Sequence, residues 1–135
     1  MQIQPYLFLE GRTEEAIEFW RKAVGAEVQM LMRWKDCPDK GNMPNPMPDE
    51  KVMHASVRIG DSTILASDGN CSGEAKPQGF ALSLTAKDAA EAEKAFSALS
   101  EGGQVQMPLG KTFFSPAFGM LADKFGVSWM VYVEH

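Results

Sequence analysis

A pattern of one strand, one helix and three further strands occurs twice along this chain. In the first copy, Thr13 is placed as the N-cap of a helix that ends at Gly25. In the second copy, Asp88 is placed as an N-cap, and Gly102-Gly103 ends the helix. Helix N-termini prefer Ser, Thr, Asp or Asn, and glycine commonly follows the last turn. One structural unit used twice predicts an α+β fold of two tandem β-α-β-β-β modules.

The strands are predicted from the alternation of apolar and polar residues, because neighbouring side chains of a strand point to opposite faces. Segments with this alternation are 28–35, 53–59, 63–67, 80–85, 104–107, 117–121 and 127–133. The pattern is lost from Lys35 to Lys51, a segment with four prolines. An unpatterned stretch of this length inside a domain is typical of a mobile or functional loop, for instance a lid.

The chain length of 135 residues fits one domain. We predict a single domain at 1–135, with module one at 1–68, a linker at 69–78 and module two at 79–135. The difference between the modules is the proline-rich loop, which only the first one contains.

Charge and hydropathy exclude several classes of protein. The net charge is −5, with acidic and basic residues mixed along the chain, which argues against binding to nucleic-acid phosphates. No apolar run is long enough to span a membrane, and the N-terminal residues do not have the pattern of a signal peptide. Cys37 and Cys71 have no metal-type spacing and are interpreted as free thiols. We therefore expect a cytoplasmic protein with no nucleic-acid or membrane partner.

Short sequence blocks along the whole chain resemble the PhnB-like branch of the vicinal-oxygen-chelate superfamily, the glyoxalase, bleomycin-resistance and dioxygenase proteins. These blocks are Pro5-Tyr6-Leu7-Phe8, Ala16-Ile17-Glu18-Phe19-Trp20, Gly25-Ala26-Glu27, Val52-Met53-His54-Ala55, Ile59-Gly60-Asp61, Ser67-Asp68, Gly79-Phe80, Asp123-Lys124-Phe125-Gly126-Val127 and Trp129-Met130. The resemblance implies that the modules form a curved mixed sheet and that the chain is a homodimer. It also implies that a small molecule binds in the cup of the sheet.

Enzymes of this superfamily hold a divalent metal with His, Gln or Glu side chains. The resemblance places the four equivalent positions near Pro5, Ala66, Gly79 and Met130, and none of these side chains coordinates a metal. We therefore predict no cofactor, and binding of a small organic molecule or anion. The alternative is a metal-dependent lyase, isomerase or dioxygenase with an atypical ligand set, so the sequence leaves open whether the protein is an enzyme.

The same family also carries the name of a 3-demethylubiquinone-9 3-methyltransferase domain. A Rossmann-type methyltransferase needs a glycine-rich turn after its first strand, where the cofactor approaches the backbone. In this chain the corresponding turn contains only Gly11. The repeat pattern also leaves no room for a doubly wound sheet, so the sequence argues against this activity.

A polar group of candidate ligand-binding residues is predicted around one hairpin. A two-residue turn at Gly60-Asp61 would pair His54 with Ser67, next to Asp68. His54 is either a hydrogen-bonded structural residue or a polar contact for a small anion or a proton transfer. The sheet face that it occupies is not determined by the sequence.

A second group of candidates is aromatic or contains methionine. Such side chains form the wall of a pocket for a small planar ligand, or they simply fill the core. The candidates are Phe114, Phe118, Met120, Trp129 and Met130.

Overall fold

The computed structural model describes residues 1–38, 40–43 and 46–134 of the chain, and within them it contains eight strands and two α-helices. The residues divide into two units, Met1–Ala75 and Lys76–His135. The first unit contains β1 (Tyr6–Phe8), α1 (Thr13–Val24), β2 (Glu27–Arg33), β3 (Val52–Ile59) and β4 (Ser62–Ser67). The second unit contains β5 (Leu82–Ala86), α2 (Ala89–Ser100), β6 (Gln104–Gly110), β7 (Phe118–Ala122) and β8 (Ser128–Val133).

Each unit forms a four-stranded mixed sheet with the same order of strands. The first sheet has the order β1-β4-β3-β2 and the second has the order β5-β8-β7-β6. In both sheets the first strand of the unit runs parallel to the last, while the other neighbours are antiparallel. The predicted α+β fold of two β-α-β-β-β modules is therefore confirmed. The assignment of all residues to a single domain stays a prediction.

The two helices begin in different ways. Asp88 caps α2 as predicted, and its carboxylate accepts the backbone N–H of Glu91 at 2.8 Å. The predicted N-cap role of Thr13 is wrong, because Thr13 is the first residue of α1 and Arg12 precedes it without a side-chain cap. The N–H of Thr13 is instead bound by Asp68, which follows β4. A carboxylate from a distant strand thus replaces the local cap.

One face of the first sheet packs against α1. The buried residues of this face are Leu7, Ala55, Val57, Ile64 and Ala66, and those of the helix are Ala16, Ile17 and Trp20. We call the opposite side the open face of the first sheet. Strand alternation and cross-strand pairing place on it Tyr6, Phe8, Met30, Met32, His54, Ser56, Thr63, Leu65 and Ser67.

The second sheet packs against α2 in a similar way. A Cβ atom at Gly119 would lie 2.7 Å from the Phe96 ring of α2, which identifies the helix-facing side. Leu121, Trp129 and Val131 are buried on that side. The open face of the second sheet carries Ser83, Thr85, Met107, Phe118, Met120, Met130 and Tyr132.

The long loop predicted at 35–51 begins and ends with backbone hydrogen bonds. The N–H of Trp34 donates to the carbonyl of Lys51 at 2.9 Å, and that of Lys35 to Asp49 at 3.0 Å. Short 3-10 helices cover Trp34–Asp36 and Lys40–Asn42. Residues 39, 44 and 45 of this loop lie outside the described residues, and so does His135. The predicted function as a lid stays a prediction.

Candidate functional site

His54 lies on the open face of the first sheet. Its neighbour Ala55 is completely buried against α1, so the His54 side chain points to the other side of β3. On the β2 side its cross-strand partner is Met32. The side chain is half-buried. The structure thus shows which face of the sheet His54 occupies, which the sequence did not determine.

Tyr6 of β1 contacts His54, and Phe8 of the same strand contacts Tyr6. The hydroxyl of Tyr6 is 3.0 Å from His54 Nδ1, and the centroids of the two rings are 5.5 Å apart. The ring centroid of Phe8 is 5.0 Å from that of Tyr6. Tyr6 is 36% exposed and Phe8 is 62% exposed. We call Tyr6, Phe8 and His54 the ring cluster.

The open face around the ring cluster is mostly uncharged. Met30, Met32 and Leu65 contribute apolar surface, and Ser56 contributes a hydroxyl group. A charged pair lies further along β3, where the guanidinium of Arg58 donates to the Glu27 carboxylate at 2.6 Å. The face therefore offers ring surfaces, thioethers and a few hydrogen-bonding groups, which suits a small organic ligand.

Ser67 and Asp68 differ in their environments. The β3–β4 pairing ends at Ala55 and Ala66, and its register places His54 opposite Ser67. The Ser67 hydroxyl accepts the N–H of Gly69 at 3.2 Å. Asp68 is 3% exposed, and its two carboxylate oxygens accept the N–H groups of Thr13 at 2.9 Å and Val52 at 2.7 Å. These contacts give Asp68 a structural role, and ligand binding by Ser67 or Asp68 stays a prediction.

The candidates of the second unit are divided between the two faces of its sheet. Phe118, Met120 and Met130 lie on the open face, and the ring of Phe114 meets that of Phe118 edge-on at 5.0 Å. Trp129 lies on the helix-facing side, where it is 3% exposed and its Nε1–H donates to Asp123 at 3.0 Å. The structure thus brings four of the five candidates together and separates Trp129 from them.

The four positions equivalent to metal ligands do not provide a metal site. Ala66 is fully buried and faces α1, so its neighbours Leu65 and Ser67 occupy the open face instead. Met130 does lie on an open face, but a thioether is a poor ligand for a hard divalent ion. Among the residues that the structure describes, no three His, Cys, Asp or Glu side chains are grouped closely enough to hold a metal ion. The residues present therefore do not fit the four-ligand metal centre of the superfamily.

Glu14 and Cys71 are two of the groups in the first unit whose pKa values are shifted. The hydrogen bond from Arg33 holds the pKa of the Glu14 carboxyl below its ordinary value of 4.5. Burial, followed by the negative charge of Asp68, raises the pKa of the Cys71 thiol. A thiol with a raised pKa is mostly protonated at neutral pH, so Cys71 is a weak nucleophile and a weak metal ligand.

The sequence interpretation missed Tyr6 and Phe8 as members of the site. The local signal is the alternation of Tyr6, Leu7 and Phe8, in which only Leu7 is buried. Their proximity to His54 depends on the parallel pairing of β1 with β4 and the antiparallel pairing of β4 with β3. Local sequence patterns do not determine such long-range pairings.

Comparisons with known proteins place the chain among PhnB-like proteins. Residues 1–132 match the family model described as 3-demethylubiquinone-9 3-methyltransferase. Protein YjdN of Escherichia coli (strain K12) is 35% identical, in an alignment that covers 98% of this chain and 95% of that protein. The crystal structure of protein PA1353 from Pseudomonas aeruginosa is 38% identical, covers 99% of this chain and 98% of that one, and has a TM-score of 0.83.

Other solved structures agree with this fold. A putative 3-demethylubiquinone-9 3-methyltransferase, PhnB protein, from Bacillus cereus is 27% identical with a TM-score of 0.80, covering 98% of this chain and 99% of that one. A glyoxylase/bleomycin resistance protein/dioxygenase domain from Frankia sp. EAN1pec is 11% identical with a TM-score of 0.63. The match covers 99% of this chain and 95% of that one. At that identity the likeness concerns the fold alone. No helix among the described residues is long and apolar enough to cross a membrane.

Proposed function

The chain belongs to the PhnB-like family, whose family model is described as 3-demethylubiquinone-9 3-methyltransferase, and we propose that it binds a small organic molecule or anion on the open face of its first sheet. The observation that carries this proposal is the ring cluster. Three ring side chains lie side by side there, joined by the contact between Tyr6 and His54 Nδ1.

The exposure of the ring cluster supports a binding role over a purely structural one. An aromatic residue that only fills the core is buried, whereas Phe8 leaves 62% of its surface exposed beside Tyr6. Aromatic faces with a few placed polar groups are typical of small-molecule sites. The ring cluster is therefore suited to bind a ligand through both ring contacts and a hydrogen bond.

The proposed binding uses no metal ion, because the described residues do not fit the metal centre of the superfamily. A metal-dependent lyase, isomerase or dioxygenase would need ligands outside the four equivalent positions. The two functions are distinguished by elemental analysis of the purified protein.

The methyl transfer in the family description is not part of our proposal. Both sheets are mixed, with one parallel pair each, and neither has the doubly wound order of a Rossmann-type methyltransferase. The turn between β1 and α1 carries the single glycine Gly11. These features support a binding protein or an enzyme of another class.

The proposal is tested by screening a library of small aromatic and anionic fragments against the protein with ligand-observed NMR. We expect fragments that bind the wild-type protein and no longer bind after Phe8→Ala or His54→Ala. Phe113→Ala is the matched control, since Phe113 is 96% exposed and lies in the second unit. Melting temperatures show whether each variant is folded.

Three outcomes would contradict the proposal. Fragments that bind the Phe8 and His54 variants as well as the wild type would place the binding elsewhere. If no fragment of the library binds the protein, the proposed binding function is wrong. A stoichiometric divalent metal, found by native mass spectrometry with elemental analysis, would favour the metal-dependent alternative.

A further inference from the structure

The contact between Tyr6 and His54 is coupled to the tautomer of the imidazole, and the tautomer sets which hydrogen-bonding group the ring cluster offers. A neutral imidazole carries its proton on one ring nitrogen and accepts with the other, and the partner of one nitrogen selects the tautomer. The hydroxyl of Tyr6 lies 3.0 Å from Nδ1. Among the described residues, neither this hydroxyl nor Nε2 has another protein partner.

A phenol hydroxyl is a good donor with one proton to donate. When it donates to Nδ1, the imidazole proton resides on Nε2, at the opposite side of the ring. His54 then presents an N–H donor, and Tyr6 is the positioning residue that keeps it in this form. An N–H group at this position favours a ligand with an acceptor atom over one that offers only donors.

The neighbouring rings add a requirement on the shape of the ligand. Tyr6 and Phe8 are tilted by 36° with their centroids 5.0 Å apart, and the larger part of Phe8 is exposed. Planar conjugated molecules stack on such exposed ring faces with little loss of conformational entropy. Met30 and Met32, which share the open face, are adaptable apolar neighbours for the same ligand.

Building on the proposed function, we propose that the ligand is a planar conjugated molecule with a carbonyl or carboxylate oxygen. This oxygen accepts the His54 Nε2–H while the conjugated plane lies against the ring of Phe8. Tyr6 acts through His54 by holding its tautomer. A ligand that offers only donors is disfavoured, because the Nε2–H group of His54 is itself a donor and needs an acceptor.

The test compares three probes by NMR titration of the protein. The probes are 2-naphthoate, which has the plane and the acceptor, 2-naphthylmethylammonium, which has the plane and only donors, and cyclohexanecarboxylate, which has the acceptor without the conjugated plane. We expect 2-naphthoate to bind most tightly and to shift resonances of Tyr6, Phe8 and His54.

Tyr6→Phe removes the hydroxyl group and keeps the ring. We expect this variant to bind 2-naphthoate roughly three- to tenfold more weakly, as for the loss of one neutral hydrogen bond. Its weak binding of 2-naphthylmethylammonium should not change. Tyr132→Phe is the matched control, because Tyr132 is the other tyrosine of the chain and lies in the second sheet; it should bind 2-naphthoate like the wild type.

A second measurement identifies the tautomer of His54 in the absence of any ligand. Proton–nitrogen correlation spectra of the imidazole should show His54 protonated on Nε2 in the wild type and a mixture of tautomers in Tyr6→Phe. The chain contains two histidines, so a His135→Ala variant assigns the signals. A wild-type His54 protonated on Nδ1 would overturn the proposed donor.

The probes also separate this inference from the function on which it rests. If library fragments bind at the ring cluster but the three probes do not differ in affinity, the ligand class is wrong and the binding function stands. Equal affinity of the Tyr6→Phe variant and the wild type for 2-naphthoate would likewise refute the role of Tyr6. If no probe and no fragment shifts the ring cluster, both proposals fail.

Discussion

The Asp68 carboxylate accepts two backbone N–H groups that come from distant parts of the first unit. Thr13 begins α1 and Val52 begins β3, while Asp68 itself directly follows β4. The N–H groups of the first helical turn have no partner within the helix, and an ionised acceptor binds them more strongly than a neutral one. A single buried side chain thus links the start of α1 and the start of β3 to the end of β4.

We expect Asp68→Asn to lower the free energy of unfolding by about 1–3 kcal/mol. The asparagine NH2 group would replace one of the two acceptor oxygens, so one backbone N–H group would lose its hydrogen bond. Asp61→Asn is the control, since Asp61 is exposed in the β3–β4 turn and tolerates this change. Urea unfolding of the two variants measures the difference. Equal midpoints would show that the two hydrogen bonds of Asp68 contribute little.

At the scale of elements, the approach of β7 to α2 depends on a residue without a side chain. A Cβ atom at Gly119 would lie 2.7 Å from Phe96 Cε2 and 2.9 Å from the Cα atom of Leu109 in β6. Contacts this short require either the ring or the neighbouring strand to move. Gly119 therefore permits the close packing of helix and strand behind the second open face.

Gly119→Ala is expected to destabilise the protein by roughly 1–3 kcal/mol, the usual cost of overpacking a core. Gly110→Ala is the matched control from the neighbouring strand β6, because a Cβ atom there would meet no atom within 4 Å. Thermal unfolding followed by circular dichroism compares the two. A Gly119 variant as stable as the Gly110 variant would mean that Phe96 and Leu109 adjust without cost.

At the scale of the whole molecule, both units expose apolar side chains on an outer strand. Val28 and Met30 are exposed on β2, and Val105 and Met107 are exposed on β6. In the part of the chain that the structure describes, each of these strands is the last of its sheet and pairs with a neighbour on one side. Apolar edge strands are surfaces on which another chain can pair. This exposure is consistent with the homodimer that the family resemblance implies.

We expect the protein to be a homodimer in solution, with twice the chain mass of 14.8 kDa. Light scattering coupled to size-exclusion chromatography measures this mass directly. Dilution over a wide concentration range shows whether the association is stable. A mass that corresponds to one chain at all concentrations would contradict the prediction.

The sequence alone determined the two repeated modules, the order of their elements and the cap at Asp88. These features depend on helix termini and on strand alternation, which are properties of neighbouring residues. The sequence also grouped Phe118, Met120 and Met130 with Phe114 and Trp129 as candidates, because of their aromatic and methionine side chains. Family resemblance added the expected absence of metal ligands at the four equivalent positions.

Only the tertiary structure decided which residues meet on each face. Tyr6 and His54 are 48 positions apart, and their contact depends on the pairing of β1 with β4 and of β4 with β3. Asp68 lies beside His54 in the predicted cluster, yet its oxygens are bound by the starts of α1 and β3. Trp129 and Met130 are adjacent in sequence and lie on opposite faces of the sheet. Such contacts depend on the pairing and register of strands that are far apart in sequence. The packing of the whole unit determines this pairing and register.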